Sequence, residues 1–498
     1  MSLSDLLLTP VTGPGGDVRI GGLSSDSRCV QPGDLFAALP GAQSHGGSFI
    51  ALALERGAAA VLTDRDGLSI AFGEGQAVGV PVIVSDDPRR ALSLAAARFH
   101  EGQPATVAAV TGTNGKTSVV HFTRQIWERL GKRAVGIGTL GIEGAFSAPL
   151  GHTTPDPLTL HRQLDSMRRQ DITHVVMEAS SHGLAQRRLD GVKLQAAGFA
   201  SFSRDHLDYH GDMDRYFREK SGLFSRVLPG GGTAVINRLA NRADDVIATA
   251  RSRRQDILLV GRGGQDDARV TVGDLRILDQ RFDPTGQDLR FSWQGRVHAA
   301  RLGLIGGFQG ENVLMAAGLA IACGSAPDAV IGSLGGLEAV PGRMQLAAVR
   351  GNGASVFVDY AHTPDAIASA LKALRLHVNG RLVAILGAGG DRDRGKRRMM
   401  GKAAATHADA VIVTDDNPRS EDPATIRAAV LAGCPRAREI GDRAVAILEG
   451  VLALEPGDAL LVAGKGHESG QIIGEDIHPF DDAEQASMAV AALEGRRV

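Results

Sequence analysis

The sequence contains little cysteine, few aromatic residues and no long apolar run. Its three cysteines, Cys29, Cys323 and Cys434, follow neither a metal-knuckle nor a disulfide spacing, which favours a reducing compartment, and we expect a cytoplasmic protein. Aromatic residues make up only 4% of the chain, which disfavours an aromatic-lined binding module. Without a run of about 18 apolar residues we expect no membrane span. Without a basic start followed by an apolar core we expect no signal peptide.

An excess of charge of either sign is also absent. Lys and Arg number 54 and Asp and Glu number 56, for a net charge of −2, which argues against a nucleic-acid-binding protein. Hydrophobic residues make up 43% of the chain, enough for packed cores, and a length of 498 residues predicts about three domains. The 64 glycines suit a protein rich in turns and phosphate-type loops.

Apolar runs, glycine loops and helical patterns alternate along most of the chain, as in parallel strands joined by crossover helices. Residues 256–304 differ, because polar and apolar residues alternate there and predict antiparallel strands. Breaker clusters near 103 and 345 divide the chain. We therefore predict an α/β fold with three domains, residues 1–103, 104–345 and 346–498. The predicted strands are 59–62, 80–84, 105–110, 174–177, 196–201, 355–358, 382–386, 410–413 and 459–462; the predicted helices are 91–100, 117–130, 308–323, 364–374 and 423–431.

The strongest motif is a glycine loop between a predicted strand and a predicted helix. Its glycines let backbone N–H groups face a phosphate, and the following helix adds its positive dipole end. We expect Lys116 to reach the outer phosphates and the Thr117 hydroxyl to ligate magnesium. Val110 occupies the place of the usual first glycine, and an ordinary glycine turn with an exposed lysine is the alternative. The loop comprises Thr111, Gly112, Thr113, Asn114, Gly115, Lys116, Thr117 and Ser118.

A second glycine cluster, at 387–390, is a weak dinucleotide fingerprint. It follows a predicted strand, but Arg392 stands where the third glycine is needed. We therefore expect no nicotinamide cofactor.

Three polar groups in the central third are chemical candidates. Glu178 follows an apolar strand and is placed to hold magnesium, with a helix-capping acid as the alternative. Residues 203–211 hold two histidines, including His206, and two aspartates. Zinc is conceivable there, but without a cysteine or a His-x-x-x-His helix, solvated loop charges are favoured. Lys220 by its pattern alone is a surface helix lysine.

In the last third, polar loops follow three predicted strands. Asp359 ends one strand, residues 415–419 follow another and residues 464–468 a third, so we expect them to share one crevice. The cation-rich stretch 391–398 is either a solvated face or an anion clamp. Arg419 offers a guanidinium fork for a carboxylate, unless it merely neutralises a neighbouring aspartate.

Together these motifs resemble the Mur ligase family over essentially the whole chain. The resemblance implies an N-terminal UDP-binding domain, a central P-loop-type ATP-binding domain with a parallel sheet, and a C-terminal Rossmann-like domain that binds an amino acid. The closest likeness within the family implies ATP-dependent addition of meso-diaminopimelate to the D-glutamate of UDP-N-acetylmuramoyl-L-alanyl-D-glutamate in peptidoglycan biosynthesis. The implied route passes through an acyl phosphate, with ATP as substrate and Mg²⁺ as cofactor.

The same resemblance implies roles for particular residues. The catalytic set is Lys116, Glu178, His206 and Lys220, and the magnesium ligands are Thr117, Glu178, His206 and Lys220 as a carbamate. Besides the glycine loop, the adenine-nucleotide contacts are Asn312, Arg343 and Asp359. The UDP-sugar-peptide contacts are Ser25, Ser27, Ala42, Gln43, Ser44, Thr153, Thr154, Ser180, Gln186 and Arg188. The diaminopimelate contacts are Arg392, Asp416, Asn417, Pro418, Arg419, Gly464 and Glu468.

Three alternatives stay open at this point. Folylpolyglutamate synthase resembles the family's central fold and chemistry but lacks the uridine domain, whereas about a hundred residues precede the loop here. A lysine-adding relative is the second alternative. The third is a nucleotide-driven switch that binds a partner protein. We expect small-molecule substrates, no nucleic acid and a monomer.

Overall fold

The structure is a computed structural model that describes residues 1–8, 17–41, 44–72, 79–262 and 273–495. The chain forms two compact units. The first comprises Met1–Asp274 and Met315–Val330, and the second comprises Leu275–Leu314 and Ile331–Val498. The predicted domain limits near 103 and 345 stay a prediction.

The N-terminal part of the first unit is a parallel sheet in the order β1-β2-β3-β4, flanked by helices. Helix α4 begins at Pro88 behind Asp87, whose carboxylate accepts a hydrogen bond from the backbone N–H of Arg90, as proline and an acidic cap favour at a helix start. The strands are β1 Gly22–Ser24, β2 Asp34–Ala37, β3 Ala60–Thr63 and β4 Val82–Val84; the helices are α1 Leu3–Leu7, α2 Ile50–Glu55, α3 Arg65–Phe72 and α4 Pro88–Phe99.

The central part of the first unit is a sheet in the order β11-β10-β9-β5-β8-β6-β7, parallel except for β7. The strands are β5 Thr106–Thr111, β6 Ala134–Gly138, β7 Gly141–Gly144, β8 His174–Glu178, β9 Ala196–Phe199, β10 Thr233–Asn237 and β11 Asp256–Arg262. The helices are α5 Lys116–Arg129, α6 Pro157–Arg169, α7 Ser181–Ala185, α8 Leu207–His210, α9 Met213–Gly222, α10 Ala243–Ser252, α11 Phe308–Ala322 and α12 Pro327–Ser333. Helix α11 contributes its residues from Met315 onward to this unit, and α12 contributes its residues up to Val330.

All residues of β5, β9 and β10 are buried, as expected of parallel strands covered on both faces by helices. Residues 257–261 of β11 are buried in the same continuous manner, and β11 pairs parallel with β10. The predicted antiparallel start of the 256–304 segment was therefore wrong: β11 is a buried strand that pairs parallel with β10. Residues 263–272 of that segment lie outside the described residues.

The second unit contains an antiparallel ribbon and a further sheet. The ribbon of β12, β13 and β14 confirms the alternating pattern of its part of the sequence. The sheet has the order β15-β16-β20-β17-β18-β19 and is parallel except for β15. The strands are β12 Gly273–Asp283, β13 Gly286–Trp293, β14 Arg296–Leu302, β15 Gln345–Val349, β16 Ser355–Asp359, β17 Leu382–Leu386, β18 Ala410–Val413, β19 Arg438–Glu439, β20 Ala459–Ala463, β21 Gly470–Ile473 and β22 Asp476–Pro479.

Helices pack on both faces of the six-stranded sheet, which has separate apolar clusters on its two sides. Proline at the first turn behind a capping Thr363 or Asp422 begins α13 and α15, as the sequence predicted. The helices are α13 Pro364–Arg375, α14 Lys396–His407, α15 Pro423–Leu431, α16 Arg443–Leu452 and α17 Asp482–Leu493. Within the described ranges, no helix has both the length and the apolar character needed to cross a membrane.

Candidate active site

The glycine loop lies where β5 ends and α5 begins. Gly115 precedes α5 with φ of +87°, a left-handed conformation that favours glycine. The Lys116 ammonium donates hydrogen bonds to the carbonyl oxygens of Gly112 at 2.9 Å and Thr113 at 3.0 Å. The backbone N–H of Asn114 donates to Ser201 Oγ at 2.8 Å, which fastens the loop to the segment after β9. The predicted strand, loop and helix are therefore in place.

Glu178 ends β8 beside Val110 of β5, so the sheet register brings its carboxylate to the loop. The side chain is buried, and its Oε1 accepts hydrogen bonds from Thr117 Oγ1 at 3.0 Å and from the Thr139 N–H at 2.8 Å. Ser180, not Glu178, caps helix α7. A buried carboxylate and a threonine hydroxyl thus meet at the carboxyl ends of two parallel strands, which is the usual place for a ligand in such a sheet.

Lys220 is not the surface lysine that its local pattern predicts. Its side chain is only 1% exposed, and Nζ donates to Gly112 O at 2.7 Å and lies 4.8 Å from the centre of the Tyr216 ring. Burial, with the Lys116 charge as a second cause, holds the pKa of Lys220 well below its usual value. Helix α9 therefore places the Lys220 amine against Gly112 of the glycine loop, where burial favours its neutral form.

The His206 ring centre lies 6.3 Å from that of Tyr216, and its side chain is half exposed. It has φ of +50° immediately before α8, and its Nε2 lies 3.3 Å from Asp205 Oδ2. Its ring centre is 4.9 Å from that of His182. Among the residues with described side chains, no set of three or more His, Cys, Asp or Glu is arranged as a ready metal site.

Five of the predicted sugar-peptide contacts form one connected network around Glu178. Thr154 Oγ1 lies 2.9 Å from Glu178 O and 3.0 Å from Ser180 Oγ, and Arg188 donates to Thr154 O. Arg188 also donates to Gln186 Oε1 at 2.8 Å. Thr153 joins through a 3.2 Å contact between its hydroxyl and that of Thr139.

The described members of the predicted uridine contacts lie in loops of the N-terminal part, Ser25 and Ser27 directly after β1 and Ser44 after β2. Ser27 is buried and Ser25 and Ser44 are exposed. Ala42 and Gln43 lie outside the described residues.

The second unit holds the remaining predicted nucleotide contacts. Asp359 ends β16, and its carboxylate accepts hydrogen bonds from the backbone N–H groups of Met344 at 2.7 Å and Ala361 at 2.8 Å. Burial raises the pKa of Asp359. The Arg343 guanidinium lies 4.7 Å from the centre of the Tyr360 ring. Asn312 Nδ2 donates to Gln309 Oε1 at 3.0 Å.

The predicted diaminopimelate contacts of the second unit lie beyond the ends of β17, β18 and β20. Asn417 Nδ2 donates to Glu468 Oε2 at 2.9 Å, and Arg419 Nη1 donates to Gly390 O at 2.8 Å. A side chain on Gly464, at φ of +125°, would bring its first carbon within 2.6 Å of Asp416 Oδ2. Burial, followed by the Asp416 charge, raises the pKa of Glu468.

Arg392 and Pro418 are the two remaining predicted diaminopimelate contacts. Arg392 is exposed, and Pro418 precedes Arg419, whose φ is +52°. One alternative was that Arg419 neutralises a neighbouring aspartate. The structure does not favour Asp415 as that aspartate, because its carboxylate pairs with Arg427 at 2.5 Å.

Sequence reasoning missed several residues that build these groups. Thr139 directly follows β6. The rule that ligands bind at the carboxyl ends of parallel strands, which identified Glu178, would also have identified Thr139. The spacing of residues in the sequence did not single out Tyr216 or Lys465. The Tyr216 hydroxyl lies 3.1 Å from Thr113 Oγ1, and Lys465 is fully buried beside Asn417.

Sequence models of three Mur ligase domains match the chain. The one described as "Mur ligase family, catalytic domain" matches residues 19–100, the Mur ligase middle domain matches 110–320, and "Mur ligase, glutamate ligase domain" matches 342–466. A curated relative from Bradyrhizobium diazoefficiens, named UDP-N-acetylmuramoyl-L-alanyl-D-glutamate--2,6-diaminopimelate ligase, is 49% identical over 478 residues, which are 95% of this chain and 96% of the relative.

Solved structures give the same result for the fold. A structure of UDP-N-acetylmuramoyl-L-alanyl-D-glutamate--2,6-diaminopimelate ligase is 34% identical, with a TM-score of 0.73 and 99% of both chains covered. Mycobacterium tuberculosis folylpolyglutamate synthase complexed with ADP is 18% identical, with a TM-score of 0.61, over 82% of this chain and 94% of its own; this likeness concerns the fold alone. The predicted α/β fold with N-terminal, middle and C-terminal domains is confirmed, and the chain belongs to the Mur ligase family of ATP-dependent ligases.

Proposed function

We propose that this ligase joins meso-2,6-diaminopimelate to the D-glutamate of UDP-N-acetylmuramoyl-L-alanyl-D-glutamate, with ATP as the energy source. The observation that carries the proposal is the likeness to the Bradyrhizobium diazoefficiens ligase along 95% of this chain. The side chains are consistent with that chemistry: one unit holds a loop suited to phosphates, and the other holds carboxylates and a guanidinium suited to a zwitterionic amino acid.

In the first unit, the glycine loop binds the phosphates of ATP. Its backbone N–H groups and the N-terminal end of α5 face the anion, and Lys116 exchanges its bonds to Gly112 and Thr113 for the outer phosphates. Asn312, Arg343 and Asp359, for which the family resemblance implies contacts to the nucleotide, belong to the second unit and stay a prediction.

The donors beside the loop fit Mg²⁺. Thr117 and Glu178 present a hydroxyl and a carboxylate, the hard oxygen ligands that this ion prefers, 3.0 Å from each other. When bound, magnesium neutralises charge on the transferring phosphate. Thr139, by donating its N–H to Glu178, fixes the orientation of that carboxylate.

Lys220 is proposed as a carbamate that holds a second Mg²⁺ together with His206. The neutral amine adds to carbon dioxide, a C–N bond forms, and one proton is released, so a buried cation becomes an anion. Burial favours the neutral amine that this addition requires. The position beneath Gly112 puts the resulting carboxylate at the phosphate loop.

The reaction then proceeds in two transfers. The D-glutamyl side-chain carboxylate attacks the γ-phosphate, ADP leaves, and an acyl phosphate forms. The amine of diaminopimelate attacks the acyl carbon, and phosphate leaves with formation of the amide. Residues Thr154, Ser180, Gln186 and Arg188 hold the sugar-peptide, and this preorganisation keeps the carboxylate in line with the phosphate.

The decisive test measures ADP release and the product mass with a matrix of substrates. We expect turnover only when UDP-N-acetylmuramoyl-L-alanyl-D-glutamate and meso-diaminopimelate are both present. Turnover with lysine in its place would assign the chain to the lysine-adding activity, and turnover with a reduced folate and glutamate would assign it to folate chemistry. ADP release that needs neither acceptor would instead support a nucleotide-driven switch.

A further inference from the structure

Lys465 is a fully buried lysine in the loop that follows β20. Its ammonium donates hydrogen bonds to Asn417 Oδ1 and to Gly470 O, both at 2.7 Å, and lies 3.7 Å from Asp416 Oδ1. Burying a cation is costly unless it is paired and hydrogen-bonded, and here Asp416 and Asn417, which are both proposed diaminopimelate contacts, supply two of its partners. A methionine of similar volume would fill the same space without that cost.

Lys465 is one of two donors that determine which way the Asn417 amide points. Asn417 Oδ1 accepts from the Lys465 ammonium at 2.7 Å and also from the backbone N–H of Ile472 at 3.0 Å. Both of these partners can only donate, so the end of the amide that faces them must be the oxygen. The NH₂ end is thereby directed at Glu468 Oε2, 2.9 Å away.

Glu468 depends on that donor for its orientation and charge. Its carboxyl is partly buried next to Asp416, and burial followed by the Asp416 charge raises its pKa. The Asn417 hydrogen bond, the Lys465 charge and the Arg419 charge act in the opposite direction and favour the carboxylate. Without Lys465, the Ile472 N–H alone would hold the Asn417 oxygen, and Glu468 would lose a nearby compensating charge.

We propose that Lys465 is a positioning residue for amino-acid specificity. It locks the Asn417 amide so that Glu468 is held as an oriented carboxylate for the ammonium group at the far end of diaminopimelate, while Arg419 receives the far carboxylate. This inference rests on the proposed function. Lys465 touches no reacting atom in this assignment and acts through Asn417.

The test compares Lys465→Met with a matched control, Lys372→Met, which removes an exposed lysine on α13. Steady-state KM and kcat are measured for ATP, for the UDP-muramoyl dipeptide, for meso-diaminopimelate and for 2-aminopimelate, which keeps the far carboxylate but lacks the far amine. We expect KM for meso-diaminopimelate to rise about tenfold or more, as for loss of a hydrogen bond to a charged group. The other three KM values should change less than about twofold, so preference for the far amine is lost.

A purely structural role gives a different pattern. A lower melting temperature with unchanged KM values, or an equal rise in all of them, would overturn the proposal. If Lys465→Met does not fold, Asn417→Asp takes its place, because it keeps the oxygen that Lys465 and Ile472 contact and replaces only the donor that faces Glu468. An unchanged KM for meso-diaminopimelate in that variant would also overturn the proposal. A wild-type enzyme that does not use diaminopimelate would contradict the proposed function instead.

Discussion

The ammonium of Lys220 donates a hydrogen bond to the carbonyl oxygen of Gly112 at 2.7 Å, across 108 positions of sequence. The contact places a buried amine directly beneath the loop that carries Lys116 and Thr117. Two lysines therefore bind the same carbonyl group, since Lys116 also donates to Gly112 O at 2.9 Å. Their mutual repulsion adds to burial in favouring a neutral Lys220.

Replacing Lys220 by arginine should reduce the rate of ligation by about a hundred-fold or more. A guanidinium stays protonated and cannot form a carbamate, so the proposed magnesium ligand is lost. Turnover is measured as ADP release with all three substrates present, and the carbamate itself by ¹³C NMR after incubation with ¹³C-bicarbonate. Lys132→Arg, at an exposed lysine, is the control. Wild-type protein without a carbamate signal, or an active Lys220→Arg enzyme, would refute the assignment.

Replacing Lys116 by alanine should reduce ATP turnover by on the order of a hundred-fold, because a preorganised charge at the phosphoryl-transfer centre is lost. Affinity for the UDP-muramoyl dipeptide, measured by titration calorimetry without nucleotide, should stay within about twofold, because the Lys116 hydrogen bonds to Gly112 and Thr113 lie within the glycine loop. Comparable turnover in the variant would remove the phosphate-loop assignment.

The sequence allowed parts of the first site to be predicted where candidate residues directly follow a strand. The β5-loop-α5 unit and Glu178 were found because ligands collect at the carboxyl ends of parallel strands. Lys220 could not be found in that way, because nothing local in α9 distinguishes the turn that faces Gly112 from one that faces solvent. Only the resemblance to the family singled it out.

The second site shows the same limit. The loops at 415–419 and 464–468 were expected to meet, and Asn417 does bond to Glu468 across 51 positions. The burial of Lys465 was missed, because a lysine between two glycines is as typical of an exposed turn as of a buried site. The antiparallel prediction failed for β11 because the whole 256–304 segment was given one pattern. In the structure β11 is continuously buried, and the alternation of buried and exposed residues begins only at β12.

Asp190 is one of the residues that join the N-terminal and central parts of the first unit. Its side chain is 2% exposed and accepts hydrogen bonds from Arg226 Nε, with Arg90 of α4 3.3 Å away. Asp190→Asn should lower the free energy of unfolding of this unit by about 2 kcal/mol, since a buried carboxylate loses its charge-assisted hydrogen bonds to Arg226. Trp127 fluorescence in urea reports on this unit in a Trp293→Phe background.

Asp214→Asn provides the matched comparison for Asp190. Asp214 pairs with Arg242 at 2.8 Å, but its side chain is 78% exposed. Loss of this exposed pair should change the free energy of unfolding by less than about 1 kcal/mol. Equal effects of the two substitutions would mean that Asp190 contributes no more than a surface ion pair.

The choice between diaminopimelate and lysine is expected to depend on Arg419. Diaminopimelate differs from lysine by one carboxylate at the far end, and the Arg419 guanidinium is a planar fork that suits a carboxylate. Its Nη1 already donates to Gly390 O at 2.8 Å, which holds the fork in place, and the backbone N–H of Arg419 donates to Ile472 O at 3.0 Å. With lysine bound, this cation would lack its partner, and such omissions permit discrimination by factors of about ten thousand.

Arg419→Ala should therefore lose most diaminopimelate turnover and change any residual lysine turnover much less. The measurement is kcat/KM for both amino acids in wild type and variant, with Arg436→Ala, at an exposed arginine, as the control. Because the ratio of two substrates on one enzyme is insensitive to the amount of folded protein, a change in this ratio reports on selection rather than stability. A ratio equal to that of wild type would place the selection of the far carboxylate on another residue, with Arg392 the next to be tested.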